Sequence, residues 1–130
     1  MDASEKQFKK RNAILACLRQ THEHPSAEMV YGMLQEEYPD ISLATVYRNL
    51  SRFKSQGVIN SLGTVNGVER FDADTHPHVH FICTGCDRVM DLPDLEPPIS
   101  LSREAQARTG CQVDGCQLTF TGLCEHCQAE

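Results

Sequence analysis

Two Cys-x-x-Cys pairs constrain this chain more than any other feature of its sequence. They are CTGC at residues 83–86 and CEHC at residues 124–127, and residues 87–123 separate them. Each short spacing lets two thiolates point at one centre, and two such turns complete a tetrahedral site of four sulfur ligands, the usual geometry of structural zinc. The alternatives are a catalytic dithiol and unmetallated core cysteines. The pattern predicts a structural zinc bound by Cys83, Cys86, Cys124 and Cys127.

The wider use of cysteine agrees with metal binding. The chain has seven cysteines, no apolar run of about 18 residues that could span a membrane, and no apolar secretory region in its N-terminus MDASEKQFKKR. We therefore expect a soluble, cytoplasmic protein. Because the reducing cytoplasm disfavours structural disulfides, the cysteines indicate metal binding or redox chemistry. Core packing is the favoured interpretation of Cys17, Cys111 and Cys116, while a redox pair or an extra ligand is the alternative for Cys111 and Cys116.

A histidine cluster, HPHVH at residues 76–80, precedes the first cysteine pair. In a strand, side chains at i and i+2 share a face, so His78 and His80 could bind one ion while Val79 and Phe81 point into the core. A solvent-exposed histidine loop is the alternative. Such a second site, of nitrogen and carboxylate ligands, suits Fe(II), Mn(II) or Zn(II). Its remaining ligands could come from elsewhere in the sequence: Asp72, Asp91 and His24.

The first half has the pattern of three helices. Apolar residues recur at helical spacing over residues 5–20, over a segment that Ser26 caps and Tyr38-Pro39 ends, and over Leu43 to Gln56. Ser42 is the predicted N-cap of the third helix, and Gly57 closes it.

Two strand-like runs follow, around the turn dipeptide Asn66-Gly67. Three helices and a hairpin are the parts of a winged helix-turn-helix, in which the third helix enters the DNA major groove. A solvated face on an ordinary three-helix unit is the alternative.

Charge is distributed unevenly along the chain. The net charge is −6, yet residues 1–62 carry eight Lys and Arg against seven Asp and Glu, whereas residues 63–130 carry four against eleven. A weakly basic first half can meet phosphates locally even in an acidic protein. The predicted DNA-binding residues lie on the outer face of the third helix and in the first basic cluster: Thr45, Tyr47, Arg48, Ser51, Arg52, Lys10 and Arg11.

The second half is predicted to be a small α+β unit. Residues 77–83 and 87–92 read as strands joined by a turn at Thr84-Gly85, and residues 99–110 as a helix capped by Ser100 or Ser102 and ended by Gly110. Residues 112–122 read as a strand pair or one long strand. Large apolar residues are few here, so we expect zinc, which can supply on the order of 10 to 16 kcal/mol, to stabilise this half.

Five segments in this order resemble the ferric uptake regulator family of bacterial metal-dependent repressors: HPSAEMVYGML, SLATVYRNL, RFD, HPHVHFICTGCDRVMDL and GLCEHC. The resemblance spans about Arg11 to Cys127. It implies an α+β chain with a winged helix-turn-helix DNA-binding domain over residues 1–72, whose wing and hinge cover about 58–75. A small α/β dimerisation and metal-binding domain with the four-cysteine zinc follows over residues 76–130.

The resemblance also implies a regulatory Fe(II) or Mn(II) at the hinge, with ligands at His24, Asp72, His78, His80 and Asp91. Iron-uptake regulators usually carry glutamate where this chain has Asp72. Aspartate is similar to the peroxide-responsive branch, in which bound Fe(II) reacts with hydrogen peroxide and ligand histidines are oxidised. By matching position, His24 and His78 are the oxidation-sensitive residues.

The function implied by the resemblance is repression of transcription, not catalysis. The partners are a palindromic double-stranded DNA operator and a second copy of the chain, with no membrane and no small-molecule substrate. An iron- or zinc-uptake repressor is the alternative within the family, and a metallohydrolase centred on the HxH pair is one from another class. Pro77, Val79, Leu123 and Cys116 stand where some members carry further ligands, so two metal sites per subunit are expected.

Overall fold

The computed structural model describes residues 2–75, 79–95 and 97–128. The chain divides into two compact units, Met1–Thr75 and His76–Glu130. No helix in the described part of the chain is both long and apolar enough to cross a membrane.

The N-terminal unit contains three helices and a hairpin, as the sequence predicts. Its elements are α1 (Ala3–Gln20), α2 (Ala27–Leu34), α3 (Leu43–Ser55), β1 (Asn60–Val65) and β2 (Val68–Asp72). Side-chain oxygens of Asp2, Ser26 and Ser42 each accept a hydrogen bond from a first-turn backbone N–H, so all three helices begin at a capping residue. α2 ends at Leu34, earlier than the predicted stop at Tyr38-Pro39.

One apolar cluster stabilises this unit. The predicted stripe of Val46, Leu50 and Phe53 on α3 is buried in it. Fully packed apolar residues of this kind each contribute about 1.5 to 3 kcal/mol to folding. The cluster draws on all three helices and on the hairpin: Ile14, Leu18, Ala27, Val30, Leu34, Ile41, Val46, Leu50, Phe53, Ile59 and Phe71.

The hairpin of β1 and β2 turns at Asn66 and Gly67, whose φ values are 52° and 80°. Both are left-handed, as a two-residue hairpin turn requires, and this confirms the prediction made from the dipeptide. β2 is tied to the segment before α2 by a hydrogen bond of 3.1 Å from the Phe71 N–H to the Pro25 carbonyl oxygen.

The C-terminal unit contains a three-stranded sheet and two helices: β3 (Val79–Cys83), β4 (Val89–Leu92), α4 (Ile99–Thr109), β5 (Thr119–Gly122) and α5 (Glu125–Gln128). β3 is the central strand, antiparallel to β4 and parallel to β5. Val79 is fully buried, whereas Phe81, which was expected in the core, is only half-buried.

Two secondary-structure predictions for this unit are wrong. α4 starts after Pro98 and has no side-chain cap, so neither Ser100 nor Ser102 caps it, although Gly110 ends it with φ 72° as expected. Within residues 112–122 only Thr119–Gly122 forms a strand, and residues 110–118 are irregular. The four residues of β5 pair with His80 to Cys83 of β3.

Candidate metal centres and nucleic-acid interface

Parallel pairing brings the two cysteine pairs together. Cys83 ends β3 and lies opposite Gly122, which ends β5. Both Cys-x-x-Cys turns therefore follow the carboxyl ends of neighbouring parallel strands. Gly85 leaves room for the second turn, because a Cβ atom there would lie 3.0 Å from the Cys127 sulfur and would press on it. The Arg88–Glu125 ion pair of 3.2 Å also links the segment after the first turn to the second turn itself.

The four sulfur atoms have the spacing of a zinc site. The Sγ atoms of Cys83 and Cys127 are 3.6 Å apart, and those of Cys86 and Cys124 are 3.9 Å apart. A tetrahedron with Zn–S distances of about 2.3 Å has sulfur–sulfur edges of about 3.8 Å. All four ligand atoms lie within 4.8 Å of one another, so the residues predicted from spacing form one cluster that fits a zinc ion.

The electrostatics of the cluster favour a cation. Backbone N–H groups of Cys124 at 3.3 Å and Gly85 at 3.4 Å donate to the Cys83 sulfur, and these hydrogen bonds lower the pKa of Cys83 to about 6. The neighbouring Cys83 sulfur raises the pKa of Cys127 to about 12. The Cys83 thiol therefore loses its proton readily near neutral pH, whereas deprotonation of Cys127 beside it is unfavourable. A bound dication removes that repulsion and favours the thiolate form of all four ligands.

The N-terminal unit contains a buried histidine–aspartate pair. The Nδ1 atom of His24 lies 3.4 Å from a carboxylate oxygen of Asp72, and the two residues are 3% and 7% exposed. Polar groups buried this deeply need partners, and a metal ion is one class of partner that suits imidazole and carboxylate together.

Arg70 holds His24 in place. The backbone of His24 has φ 53°, an uncommon left-handed conformation for a residue other than glycine. The buried guanidinium of Arg70 donates to the carbonyl oxygens of His24 and Glu23, the latter at 2.7 Å. Arg70 and Asp72 are two residues apart on β2. No sequence pattern predicts this role of Arg70, although the residue lies in RFD, one of the segments that resemble the family.

The C-terminal unit contains a second such pair. His80 on β3 lies directly opposite Asp91 on β4, and this register places the His80 Nε2 atom 3.1 Å from an Asp91 carboxylate oxygen. His80 is 8% exposed. The remaining predicted ligand, His78, lies outside the described residues.

The outer face of α3 presents the polar side chains that were predicted to meet DNA. Tyr47, Arg48, Ser51 and Arg52 are exposed, and Thr45 is half-buried. Thr45 also bonds to the capping residue, with 2.8 Å between its hydroxyl oxygen and that of Ser42.

A groove of about 410 Å³ separates this face from α1. Four basic residues line it, which are Lys10 and Arg11 of α1 and Arg48 and Arg52 of α3. Among the described residues, neither Arg48 nor Arg52 takes part in an ion pair, so two guanidinium groups remain available for an anion. Arginine with free donors is well suited to phosphate.

Acidic residues contact three side chains of this region. Lys10 pairs with Asp40 at 3.1 Å, and Lys54 pairs with Glu69 at 3.0 Å. The Tyr47 hydroxyl donates a hydrogen bond to the carboxylate of Glu28. None of these contacts has a signal in the sequence, because the partners are 15 to 30 residues apart.

The cysteines outside the cluster differ from one another. Cys17 is half-buried beside the apolar cluster, and its burial raises the pKa of its thiol, in line with the predicted core role. Cys111 is exposed and Cys116 is half-buried, so the core position expected for Cys111 is wrong. Both lie in segment 110–118, which forms neither helix nor strand.

The chain is similar in sequence to known metal-dependent regulators. The sequence model of the ferric uptake regulator family matches residues 3–121. The peroxide-responsive repressor PerR of Staphylococcus aureus is 38% identical over 120 residues, which are 91% of this chain and 79% of that protein.

Solved structures are similar over nearly the whole chain. The Campylobacter jejuni peroxide stress regulator is 27% identical with a TM-score of 0.78, and the match covers 98% of this chain and 100% of that one. The ferric uptake regulator of Francisella tularensis, solved with iron, is 26% identical with a TM-score of 0.76 and coverages of 91% and 90%.

Proposed function

The chain belongs to the ferric uptake regulator family of metal-dependent transcriptional regulators, and from that premise we propose that it is a peroxide-responsive repressor. In this proposal a homodimer binds a palindromic DNA operator in the cytoplasm, and a regulatory metal sets its affinity for that operator. The N-terminal unit binds DNA, and the C-terminal unit carries the structural zinc and the dimer contact.

The α3 face and the basic groove support DNA binding. Arg48 and Arg52 offer guanidinium groups to phosphates or base edges, and Lys10 and Arg11 border the same groove. Exposed Tyr47 and Ser51, with Thr45, complete a polar surface on one helix face. Phosphate contacts would fix the register of α3, while side chains that reach base edges would read the sequence.

Exposed apolar side chains support dimer formation through the C-terminal unit. α4 buries none of its residues, and Ile99 is 70% exposed. Large apolar surfaces on a small unit usually mark a protein interface. A two-fold dimer would present two copies of α3 about 34 Å apart, one turn of DNA. The exposed large apolar residues described in this unit are Leu95, Ile99, Leu101, Phe120 and Leu123.

Two histidine–aspartate pairs support the regulatory site. Each unit supplies one imidazole and one carboxylate held close together, and we propose that both pairs and His78 serve one ion. Nitrogen and oxygen ligands suit Fe(II) or Mn(II) better than a thiolate set does. The full proposed ligand set is His24, Asp72, His78, His80 and Asp91.

Peroxide sensing rests on one observation, the buried aspartate at position 72 beside His24. Bound Fe(II) would supply the reduction of hydrogen peroxide, and His24 and His78 are the imidazoles expected to gain oxygen. Oxidation of an imidazole weakens it as a ligand. The coupling of metal to DNA affinity need be only about 1 to 3 kcal/mol to change that affinity roughly 5- to 150-fold.

The test uses the full chain and a palindromic duplex that the Mn(II)-loaded protein selects from a randomised library. Fluorescence anisotropy should show tight binding with Mn(II) or Fe(II), and peroxide should abolish it for the Fe(II) form only. Mass spectrometry should then find one added oxygen atom on His24 or His78. Equal binding with and without metal would exclude metal regulation, and metal-dependent binding without histidine oxidation would favour an iron- or zinc-uptake repressor.

A further inference from the structure

Glu28 is bound to the aromatic residue at the centre of the α3 face. Tyr47 is 46% exposed, and its hydroxyl donates a hydrogen bond to the Glu28 carboxylate in the first turn of α2. This bond lowers the pKa of Glu28 and raises the pKa of Tyr47. At neutral pH the contact therefore joins a carboxylate to a protonated phenol.

A carboxylate in this place is costly for a DNA-binding surface. It repels the phosphates of any duplex that approaches α3. The other two acids of the region, Asp40 and Glu69, each contact a lysine. Glu28 contacts a neutral phenol instead, so its role is not the neutralisation of a nearby cation.

The contact restricts an otherwise mobile side chain. An exposed tyrosine on a helix samples more than one rotamer, and binding DNA through it requires that freedom to be lost. A hydrogen bond from its hydroxyl to a second helix selects one orientation before DNA arrives. Pre-ordering one such side chain changes affinity about two- to twelvefold.

We propose that Glu28 is a positioning residue for Tyr47 and that it raises the preference of the protein for its operator over other DNA. The inference rests on the proposed function and deepens it. The hydrogen bond of Glu28 acts only where Tyr47 reads a base, whereas its charge opposes binding to every sequence alike. The charge weakens both kinds of binding by the same factor, so the hydrogen bond alone widens the gap between specific and non-specific affinity.

The experiment measures this preference as the dissociation constant for a shuffled duplex divided by the dissociation constant for the selected operator duplex. The Mn(II)-loaded full chain is titrated, by anisotropy, with the library-selected palindromic duplex and with a shuffled duplex of the same length and composition. Glu28→Ala should lower the ratio about two- to twelvefold. Glu28→Gln keeps a hydrogen-bond acceptor and should retain most of the preference.

Glu36→Ala is the matched control. Glu36 is exposed in the same unit, and it takes part in no ion pair among the described residues. Its removal deletes the same charge without touching Tyr47, so both duplexes should respond equally and the ratio should stay constant. Tyr47→Phe should lower the ratio as Glu28→Ala does, and the double variant should lose no more than either single one.

A spectroscopic measurement follows the contact itself. Ultraviolet titration of the tyrosines, with Tyr47→Phe to identify the signal, should show Tyr47 ionising at lower pH in Glu28→Ala than in the wild type. A Glu28→Ala protein with an unchanged ratio would overturn the inference. A wild-type protein that binds both duplexes equally would overturn the proposed function, and the inference with it.

Discussion

The N-terminal unit buries eleven apolar side chains in one cluster, whereas the C-terminal unit buries two valines and two zinc-site cysteines among its described residues. The difference is also seen in the helices, since α3 buries four residues and α4 buries none. The first unit has the core of an ordinary small domain. The second leaves large apolar side chains exposed, among them Ile99 and Leu101.

This comparison shows two ways of stabilising small units. Fewer than about 70 to 80 residues rarely form a sufficient core, and the C-terminal unit, His76–Glu130, is well below that size. A zinc ion can supply the missing free energy because its four ligands come from turns that are distant in sequence. Changes to ligands and changes to core residues should therefore affect different units.

The largest effect is expected from loss of a zinc ligand. Cys124→Ser should release zinc and unfold the C-terminal unit, because binding free energy on the order of 10 kcal/mol or more is lost. The N-terminal unit should remain folded on its own core. Zinc analysis together with hydrogen exchange, followed peptide by peptide, distinguishes the two units.

Cys111→Ser is the control for that experiment, since Cys111 is exposed and lies outside the cluster. This variant should retain its zinc and the protection of its backbone amides from hydrogen exchange. Persistent protection of β3 and β5 in zinc-free Cys124→Ser would break the comparison, because it would show that the C-terminal unit has a sufficient core after all.

A smaller effect is expected from a cavity in the other unit. Leu50 is 1% exposed, so Leu50→Ala should destabilise the N-terminal unit by roughly 2 to 5 kcal/mol and leave the zinc content unchanged. Met33→Ala, at a position 42% exposed, is the matched control and should cost much less. Unfolding in urea, monitored by hydrogen exchange, measures the stability of both variants. Zinc loss in Leu50→Ala would contradict the independence of the units.

The smallest effect is expected from a helix cap. The Ser42 hydroxyl accepts a hydrogen bond of 3.1 Å from the Thr45 N–H, and Ser42→Ala should cost about 1 kcal/mol. Ser51→Ala, on the exposed face of the same helix, should leave stability nearly unchanged. Equal unfolding midpoints for the two variants would mean that the cap does not stabilise α3.

Local chemistry made much of the fold predictable. Ser26, Ser42 and Gly57 stand where helices start and stop because a side-chain acceptor or a left-handed residue is needed there. The four-cysteine cluster was predictable because zinc geometry restricts ligand spacing. Pro98 gave no such signal as a helix start, since it offers no capping oxygen.

Contacts between distant residues were not predictable in the same way. Arg70 meets the His24 carbonyl 46 positions earlier, and Tyr47 meets Glu28 19 positions earlier. Both contacts arise from how helices and the hairpin pack, which periodicity alone does not specify. The sequence of residues 112–118 suits a strand, yet the segment is irregular. A strand also needs a neighbouring strand to pair with, and local sequence does not specify that neighbour.

Strand β2 connects the tip of the hairpin to the buried histidine–aspartate pair. At about 3.3 Å per residue, it extends roughly 13 Å from Val68, next to the hairpin tip, to Asp72. Arg70, halfway along, grips the backbone of His24. Any tilt of this ribbon must therefore shift both members of the histidine–aspartate pair at once. A force on the hairpin tip, such as contact with a DNA backbone, would therefore also displace His24 and Asp72, the proposed metal ligands.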